Sequence, residues 1–288
     1  MRLTTKIITG IILSIFILSI LHIIAYSFTD RKNFKWSFPG HSIKLPQTDK
    51  TGMNIESYKV IVLESEESIY YYWFANEEGL FIQPALTNDE ENKFFIPEAL
   101  NDFISTQTNN DTLIIKINFD EVMEKYSTID EALKKRQISG IQYAISVSGF
   151  NLYLHASNVN VINKLNDIQT RISNIKAESI KIYSTGDVVI DSCKVNVIEP
   201  VLEPSYRKLT IENSIVKVLN LDLDRMGTWN INNCNIETSN FTGSGRNNDI
   251  TLSQPEKFGR INWLPKNKDA ELNIILKGDT AQISFQIP

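Results

Sequence analysis

The chain has 288 residues, of which 42% are hydrophobic and 22% charged, and its formal net charge is -5. This is ordinary globular composition with enough apolar residues for a sizeable core, so it excludes a chain that is disordered throughout. The mild negative charge argues against a nucleic-acid partner, because nucleic-acid-binding proteins normally carry a basic face.

An apolar segment near the N-terminus predicts the compartment. Ile7 to Ala25 is interrupted by few polar residues, and about 20 apolar residues are needed to cross a bilayer. We expect residues 1–28 to be a transmembrane signal anchor, with the bulk of the chain outside the cytoplasm in the cell envelope. The alternative is a cleaved signal peptide ending at the small residues Ala25 and Ser27, which would leave the protein secreted or periplasmic.

The next stretch is polar and rich in residues that break regular structure. Residues 29–53 contain Pro39, Gly40, Pro46 and Gly52. We interpret them as a tether between the anchor and the folded part.

Residues 54–150 have a mixed α/β pattern. Strand-like runs occur at residues 58–63, 69–74 and 112–119. A short helix is predicted from Pro97 to Ile104, with proline at its first position. A second helix is predicted from apolar residues spaced by four, three and four positions, which are Val122, Tyr126, Ile129 and Leu133.

The aromatic run from Tyr70 to Phe74 has two interpretations. Period-two alternation in a strand places alternate rings in the core, with Tyr71 and Trp73 on the other face. The alternative is an exposed aromatic patch that stacks on sugars or inserts into a partner. We favour packing.

Residues 151–288 contain a repeat. Six apolar residues occur at steps of 18, 18, 21, 20 and 21, each in a short strand-like segment, namely Leu154, Ile172, Ile190, Ile211, Ile231 and Leu252. Five places later the residues are again mostly apolar, namely Val159, Ala177, Val195, Val216, Ile236 and Lys257. Two places after each marker the residues are mostly turn formers, namely Ala156, Asn174, Ser192, Asn213, Asn233 and Gln254. Strands that alternate on either side of a polar corner, repeated at this period, predict stacked β-coils, with the last segment, Leu272 to Ile287, as a further coil or a cap.

The two cysteines test this register. Cys193, Ser214 and Cys234 take the same place in three successive coils. Adjacent strands lie about 4.8 Å apart, which puts the two cysteines about 9.6 Å apart, whereas a disulfide needs α-carbons within about 7 Å. We therefore predict two free, buried thiols.

Residues that could perform chemistry are few. The three histidines, His22, His41 and His155, are too scattered for a metal site, and we expect His155 to point into solvent. We expect no catalytic, cofactor-binding or metal-binding residue and no cofactor. The only cluster resembling the carboxylate pairs of polysaccharide lyases and glycosidases is Asp222, Asp224 and Arg225, so a polysaccharide-acting enzyme is the alternative function.

A resemblance to a known family follows from the strand sequences. The segments Lys59–Val62, Leu113–Ile117, Tyr143–Val147, Asn151–Leu154 and Ser179–Val188 resemble the auto-transporter adhesin head domain of the GIN type, found in envelope proteins of Bacteroidetes-like bacteria. The resemblance would span about Ile55 to Gln286. Only Thr185-Gly186-Asp187 matches the Ser-Gly-rich corner typical of the family. The resemblance implies a β-helical fold and an adhesive or scaffolding role, and it carries over no catalytic residue.

Together these observations predict a mainly β protein. Its C-terminal part, residues 151–288, is expected to be a parallel right-handed β-helix (β-solenoid) with coils of about 18–21 residues. A mixed α/β region and an N-terminal transmembrane helix precede it. The predicted function is a non-enzymatic, adhesin-like or scaffolding protein that contacts the membrane through its anchor and a polysaccharide or protein through the solenoid.

Overall fold

The computed structural model describes nine segments of the chain. They are residues 42–66, 71–74, 78–126, 144–156, 159–165, 167–203, 206–245, 248–252 and 257–276. The expected anchor, residues 1–28, lies outside them. Among the described residues, no helix is both long and apolar enough to span a membrane.

The protein is mainly β, as predicted. The N-terminal strands are β1 Ser42–Lys44, β2 Lys50–Asn54, β3 Val60–Ser65, β4 Tyr71–Phe74, β5 Gly79–Gln83, β6 Lys93–Pro97, β7 Ile104–Asn109, β8 Thr112–Ile117, β9 Ala144–Ser148, β10 Asn151–His155 and β11 Val159–Asn163. The C-terminal strands are β12 Gln169–Ser173, β13 Lys176–Ser184, β14 Val188–Asp191, β15 Lys194–Leu202, β16 Lys208–Glu212, β17 Ile215–Asp222, β18 Thr228–Asn232, β19 Asn235–Gly243, β20 Asn248–Leu252, β21 Phe258–Pro265 and β22 Leu272–Leu276. One α-helix, α1 Phe119–Tyr126, and three 3-10 helices, Asn88–Glu90, Glu98–Phe103 and Leu223–Arg225, complete the described part.

Two large sheets contain most of the strands. One has the order β18-β16-β14-β12-β5-β10-β6-β2, and the other has the order β21-β19-β17-β15-β13-β11-β3-β8-β7. From β11 to β19 the chain passes alternately between them, and from β11 to β17 each strand pairs in parallel with the strand two places later in the chain. The buried faces of both sheets contribute to one hydrophobic cluster.

The predicted strand register is confirmed in the middle of the repeat. Ile172 pairs with Ile190, Ile190 with Ile211, and Ile211 with Ile231. These isoleucines lie in the sheet that starts with β18, and the first three are fully buried. Neighbouring strands thus bury the same apolar column, which is why the repeat is visible in the sequence.

The register prediction is wrong at both ends. Leu154 does not pair with Ile172, because β5 lies between their strands and Ile82 pairs with both. At the other end, Leu252 pairs with Leu276 in a separate two-stranded sheet, β20-β22. The partner of Ile236 is Phe258 and not the predicted Lys257.

The polar corners are confirmed as turns with left-handed backbone. Asn174, Ser192, Asn213 and Asn233 have φ angles of 58°, 56°, 50° and 51°. Asparagine tolerates this conformation better than most residues because its short side chain makes local hydrogen bonds. The side chain of Asn213 donates to Asp191 Oδ1 at 2.9 Å and that of Asn233 donates to Asn213 Oδ1 at 2.9 Å, so the corners are also linked to one another.

The family-like corner Thr185-Gly186-Asp187 is a close approach between chain segments. A Cβ atom on Gly186 would lie 2.0 Å from the carbonyl oxygen of Ile168. Only glycine fits there without a backbone shift, which explains why a glycine occurs in this corner.

The interpretation of residues 29–53 as a tether does not hold from residue 42 onward. This part contains β1 and β2, and Ile43 and Leu45 are fully buried. Ser42–Lys44 pairs with β9, and Lys50–Asn54 pairs with β6. These residues join the sheets, despite their polar composition, because their backbones pair with strands that are distant in the chain.

The predicted helices are partly confirmed. The stretch after Pro97 forms a 3-10 helix, Glu98–Phe103, in place of an α-helix. The second predicted helix is α1, which begins at Phe119, buries Val122 and is described as far as Tyr126. Ile129 and Leu133 of that prediction lie outside the described residues.

Alternate aromatics of the run Tyr70–Phe74 pack in the core, as favoured. Tyr72 and Phe74 are buried. Their rings lie 5.1 Å and 5.6 Å from the ring of Phe119, and Phe74 also contacts Phe150 at 5.0 Å. The side chains of Tyr71 and Trp73 lie outside the described part of the structure.

The prediction for the cysteines is confirmed. Cys193 and Cys234 are free and buried. Between them lies Ser214, whose hydroxyl accepts a hydrogen bond from the backbone N–H of Cys193 at 3.0 Å.

Candidate functional site

A row of aromatic rings crosses the outer face of the sheet at β5, β10 and β6. Along β10, Leu152 and Leu154 face the core, so Tyr153 faces the opposite side. Tyr153 pairs with Phe81 on one side, and the two rings stack with centroids 5.2 Å apart and planes 19° apart. Lys50 Nζ lies 3.5 Å from the centroid of Tyr153. Tyr153 therefore contacts both an aromatic ring and an ammonium group.

A glycine lets a third ring join this row. Phe95 on β6 pairs with Tyr153 on one side and Gly52 on the other. A Cβ atom on residue 52 would lie 2.9 Å from Cε1 of Phe95, so the ring occupies the space that a larger residue would need. The Phe95 ring lies 5.0 Å from the ring of His155 and helps to cover it.

His155 is buried, in contrast to the sequence-based expectation. It faces outward from β10, as the alternation predicts, but only 6% of its surface is exposed because Phe95 and the loop after β5 cover it. Its Nε2 lies 3.3 Å from Nε2 of Gln83. Its Nδ1 lies 3.4 Å from Glu90 Oε2, which is close enough for an ion pair if the ring is protonated, but Nδ1 has no aligned hydrogen-bond partner among the described residues.

The charge of His155 is set mainly by its burial. Burial lowers the pKa of His155 below its ordinary value of 6.5, the carboxylate of Glu90 opposes this, and the ammonium of Lys50 reinforces it. The ring is therefore neutral at pH 7. A neutral imidazole has one donor and one acceptor nitrogen, so it can bond either kind of polar group.

The loop from Pro84 to Glu91 forms the wall of the site. Its shape is held by Glu90, whose Oε2 accepts a hydrogen bond from the backbone N–H of Leu86 at 3.2 Å. The side chain of Leu86 itself points into solvent. With 84% of its surface accessible, it is the most exposed large hydrophobic residue in the described part of the chain. Leu86 therefore presents an apolar side chain to solvent at the border of a hollow.

Two hollows meet at this loop, and we call them together the outer groove. One measures about 420 Å³ and is lined by Thr48, Asp49, Lys50, Gln83, Leu86, Glu90, Phe95, Tyr153 and His155. The other measures about 400 Å³ and is lined by Pro84, Ala85, Leu86, Thr87, Asn88, Glu91, His155, Ala156, Asn174, Ile175 and Lys176. Leu86 and His155 border both hollows, so the two lie next to each other.

The cluster Asp222, Asp224 and Arg225 does not assemble a catalytic pair. Lys266 Nζ bonds Asp222 Oδ1 at 2.6 Å and Asp224 Oδ2 at 2.8 Å, and Arg225 lies 3.6 Å from Glu203. Although burial opposes it, hydrogen bonds from Lys266 and Ser244 lower the pKa of Asp224. Glycoside hydrolysis by two carboxylates needs one with a raised pKa as general acid. This cluster therefore gives no support to the enzyme alternative.

The outer face of the other large sheet carries a polar ladder. Asn262 donates to Asn240 and Asn240 donates to Asn220, both at 2.8 Å, and Asn220 donates to Glu199 at 3.1 Å. Lys181 completes the row at 3.0 Å from Glu199. Because these groups bond one another from strand to strand, the ladder stabilises the pairing of the strands.

The outer groove was not found from the sequence. Its parts come from β2, β5, β6 and β10, which are far apart in the chain and are brought together by pairing that the sequence pattern does not specify. The one available signal was the alternation in Asn151–His155, which correctly places Tyr153 and His155 on the outer face. Among the described residues, no group of three potential metal ligands is present in the groove or elsewhere.

Comparison with known proteins gives three distant structural likenesses. No family model matches the chain, and no curated protein matches it. A "putative adhesin" from Parabacteroides distasonis ATCC 8503 has a TM-score of 0.38 and 8% identity over 82% of this chain and 98% of its own. A "putative adhesin" from Parabacteroides merdae ATCC 43184 has a TM-score of 0.32 and 9% identity, covering 83% of this chain and 98% of its own.

The third likeness is to a "putative lipid binding protein" from Parabacteroides distasonis ATCC 8503. It has a TM-score of 0.34 and 11% identity, and the match covers 83% of this chain and 98% of that one. All three TM-scores lie below 0.5. We therefore transfer no ligand or role from these proteins, and the functional argument below rests on the groove.

Proposed function

We propose that the protein is a non-enzymatic, adhesin-like binding protein of the cell envelope, which holds its ligand in the outer groove. The observation that carries this proposal is the groove itself. It combines an exposed leucine, Leu86, with a buried neutral imidazole, His155. It adds the amide of Gln83, the ammonium of Lys50 and the carboxylates of Asp49 and Glu90. A concave surface with an apolar wall and a few fixed polar groups is the usual form of a binding site.

We infer that residues 151–288 form a parallel right-handed β-solenoid of the GIN-type adhesin kind. The alternation of the chain between two sheets and the in-line pairing of Ile172, Ile190, Ile211 and Ile231 support stacked coils. Parallel strands that are joined by a crossover connect almost always with right-handed geometry, which supports the hand. Of the groove strands, β5 and β10 join this stack by parallel pairing, and β6 and β2 extend the same sheet by antiparallel pairing.

The location of the protein follows from residues 1–28. Their composition supports a retained membrane anchor with the folded part outside the cytoplasm. A reporter enzyme that is active only outside the cytoplasm, fused after residue 288, is expected to be active. The location would be contradicted if this reporter were inactive and a second reporter, active only in the cytoplasm and fused at the same place, were active.

An attachment assay tests the binding function. Beads coated with the full chain would be presented to surfaces carrying bacterial envelope polysaccharide, mucin glycoprotein or phospholipid. We expect the beads to attach to at least one of these surfaces. Attachment should fall about tenfold for the variants Leu86→Asp and Gln83→Ala, because each loses contacts worth roughly 1.4 kcal/mol of binding free energy.

The matched control is Ile215→Asp. Ile215 is also an exposed apolar residue, 53% accessible, but it begins β17 in the other large sheet. Its substitution should leave attachment unchanged. No attachment to any surface, or an equal loss in the control, would contradict a binding role for the groove.

A further inference from the structure

The charges that line the outer groove are mixed in sign and close to balanced. In the hollow that contains Tyr153, Lys50 faces Asp49 and Glu90, while His155 is neutral. In the adjoining hollow, Lys176 faces Glu91. A strongly anionic or cationic ligand would meet a like charge in either hollow, and desolvating like charges side by side costs free energy.

The same lining offers both hydrogen-bond donors and acceptors. The Gln83 amide has both kinds of group, Lys50 donates, and the carboxylates of Asp49 and Glu90 accept. A ligand with many hydroxyl groups satisfies such a surface, because each hydroxyl both donates and accepts. The polar lining thus favours an uncharged polyol over an ion or a hydrocarbon.

The apolar part of the lining is suited to C–H groups. The Tyr153 ring is stacked on Phe81 and carries the ammonium of Lys50 over its face, which limits the ring surface left for a ligand. The available apolar contacts are the remaining surface of Tyr153, the Phe95 ring and the exposed side chain of Leu86. They can cover the C–H surface of a sugar ring while its hydroxyls reach the polar groups.

The shape of the groove sets the length of the ligand. The hollows of about 420 Å³ and about 400 Å³ adjoin at Leu86 and His155. A ligand of one ring fills only one of them, whereas a chain of sugars crosses Leu86 and occupies both. We propose that the outer groove binds an uncharged oligosaccharide segment of two or more sugar rings, an inference that rests on the proposed binding function.

Calorimetric titration of the full chain in phosphatidylcholine nanodiscs tests this assignment. The probes are the neutral tetrasaccharides of glucose, mannose, xylose and N-acetylglucosamine, with tetragalacturonate, an alanine-rich tetrapeptide and laurate as the charged, peptide and lipid comparisons. At least one neutral tetrasaccharide should bind, and its monosaccharide should bind about tenfold or more weakly because it reaches one hollow only.

Two groove variants and one control assign the site. Leu86→Ser and Gln83→Ala should each weaken tetrasaccharide binding about tenfold, whereas Ile215→Ser should change it less than about twofold. The thermal unfolding midpoints of Leu86→Ser and Ile215→Ser should match that of the wild type within the range of surface substitutions. That of Gln83→Ala should be lower, because this variant removes the partner of the buried His155 ring. This separates lost contacts from lost folding.

The remaining outcomes overturn the inference in distinguishable ways. Binding of tetragalacturonate, tetrapeptide or laurate that depends on Leu86 and Gln83, without binding of any neutral tetrasaccharide, would refute the sugar assignment and leave the proposed binding function standing. Groove-dependent binding of none of the probes, together with no attachment in the bead assay, would refute both.

Discussion

At the scale of single residues, His155 shows how neighbouring residues determine the burial and charge of a side chain. The sequence pattern predicts correctly only the face of the strand on which it lies. The alternation along β10 puts it on the outer face, where a histidine would ordinarily be solvated. Phe95 can lie over it because residue 52 is glycine, and the loop held by Glu90 closes the other side. The result is a buried, neutral imidazole at the junction of two hollows.

The lowered pKa of His155 predicts a pH dependence of stability. Above pH 6.5 the ring is neutral in both the folded and the unfolded chain. As the pH falls below that value the unfolded chain takes up the proton first, so the free energy of unfolding falls until the pH passes the lowered pKa of the folded state. The slope from this one group is at most about 1.4 kcal/mol per pH unit.

Denaturant titrations of the wild type and of His155→Gln measure this contribution. Glutamine keeps a neutral polar side chain but does not titrate. We expect the wild type to lose stability relative to the variant over the interval in which the pH falls from 6.5 towards the lowered pKa of the folded state. The prediction fails if the two proteins lose stability in parallel over that interval.

A second residue-scale prediction concerns the thiols. Burial raises the pKa of both Cys193 and Cys234, which keeps them as unreactive thiols. We expect neither to react with a thiol reagent in the native full chain and both to react after denaturation. Since the sequence contains only these two cysteines, the count is unambiguous. Fast labelling of the native protein, or a disulfide between the two, would contradict the strand register.

At the scale of elements, the corners between strands carry a conformational requirement. Asn213 has a φ of 50° and joins a chain of side-chain hydrogen bonds from Asn233 to Asp191. Two effects are superimposed here, the cost of left-handed backbone and the loss of the side-chain bonds. Substitutions can separate them.

We expect Asn213→Ala to destabilise the protein more than Asn213→Gly. Both variants lose the amide bonds, but only alanine pays the cost of left-handed backbone, which is about 1–2 kcal/mol. Equilibrium unfolding of the two variants gives the difference directly. Equal stability, or a less stable glycine variant, would show that the backbone conformation of this corner is not what the structure describes.

The elements that were predicted correctly from the sequence are those determined by residues close together in the chain. The corners at Asn174 to Asn233 and the column Ile172 to Ile231 were predicted because each coil repeats one apolar strand and one polar turn. Sequence reasoning could not place β5, because Gly79–Gln83 enters the sheet by pairing with strands far along the chain. It missed β1 and β2 for the same reason, and with them the groove, whose parts meet only through those pairings.

At the scale of the whole molecule, stability comes from columns of apolar side chains that continue from strand to strand. Ile190 lies in the middle of such a column, fully buried and paired with Ile172 and Ile211. We expect Ile190→Ala to destabilise the protein by about 2–5 kcal/mol, because it removes buried methylene groups and leaves a cavity that tight packing prevents from collapsing.

The control for this prediction lies on the same strand. Val189 is next to Ile190 but faces outward and is half-buried. Val189→Ala should cost less than about 1 kcal/mol in the same denaturant titration. Similar losses for the two variants would contradict the assignment of the core face of β14.

The most direct single measurement is a crystal structure of the full chain with the tetrasaccharide that binds it most tightly. We predict sugar rings on both sides of Leu86 and hydroxyls within hydrogen-bond distance of Gln83 and Lys50. We also predict the column Ile172, Ile190, Ile211 and Ile231 paired from strand to strand in the same sheet. Sugar bound only at another surface, such as the Asn220, Asn240 and Asn262 ladder, or strands out of this register, would contradict the account.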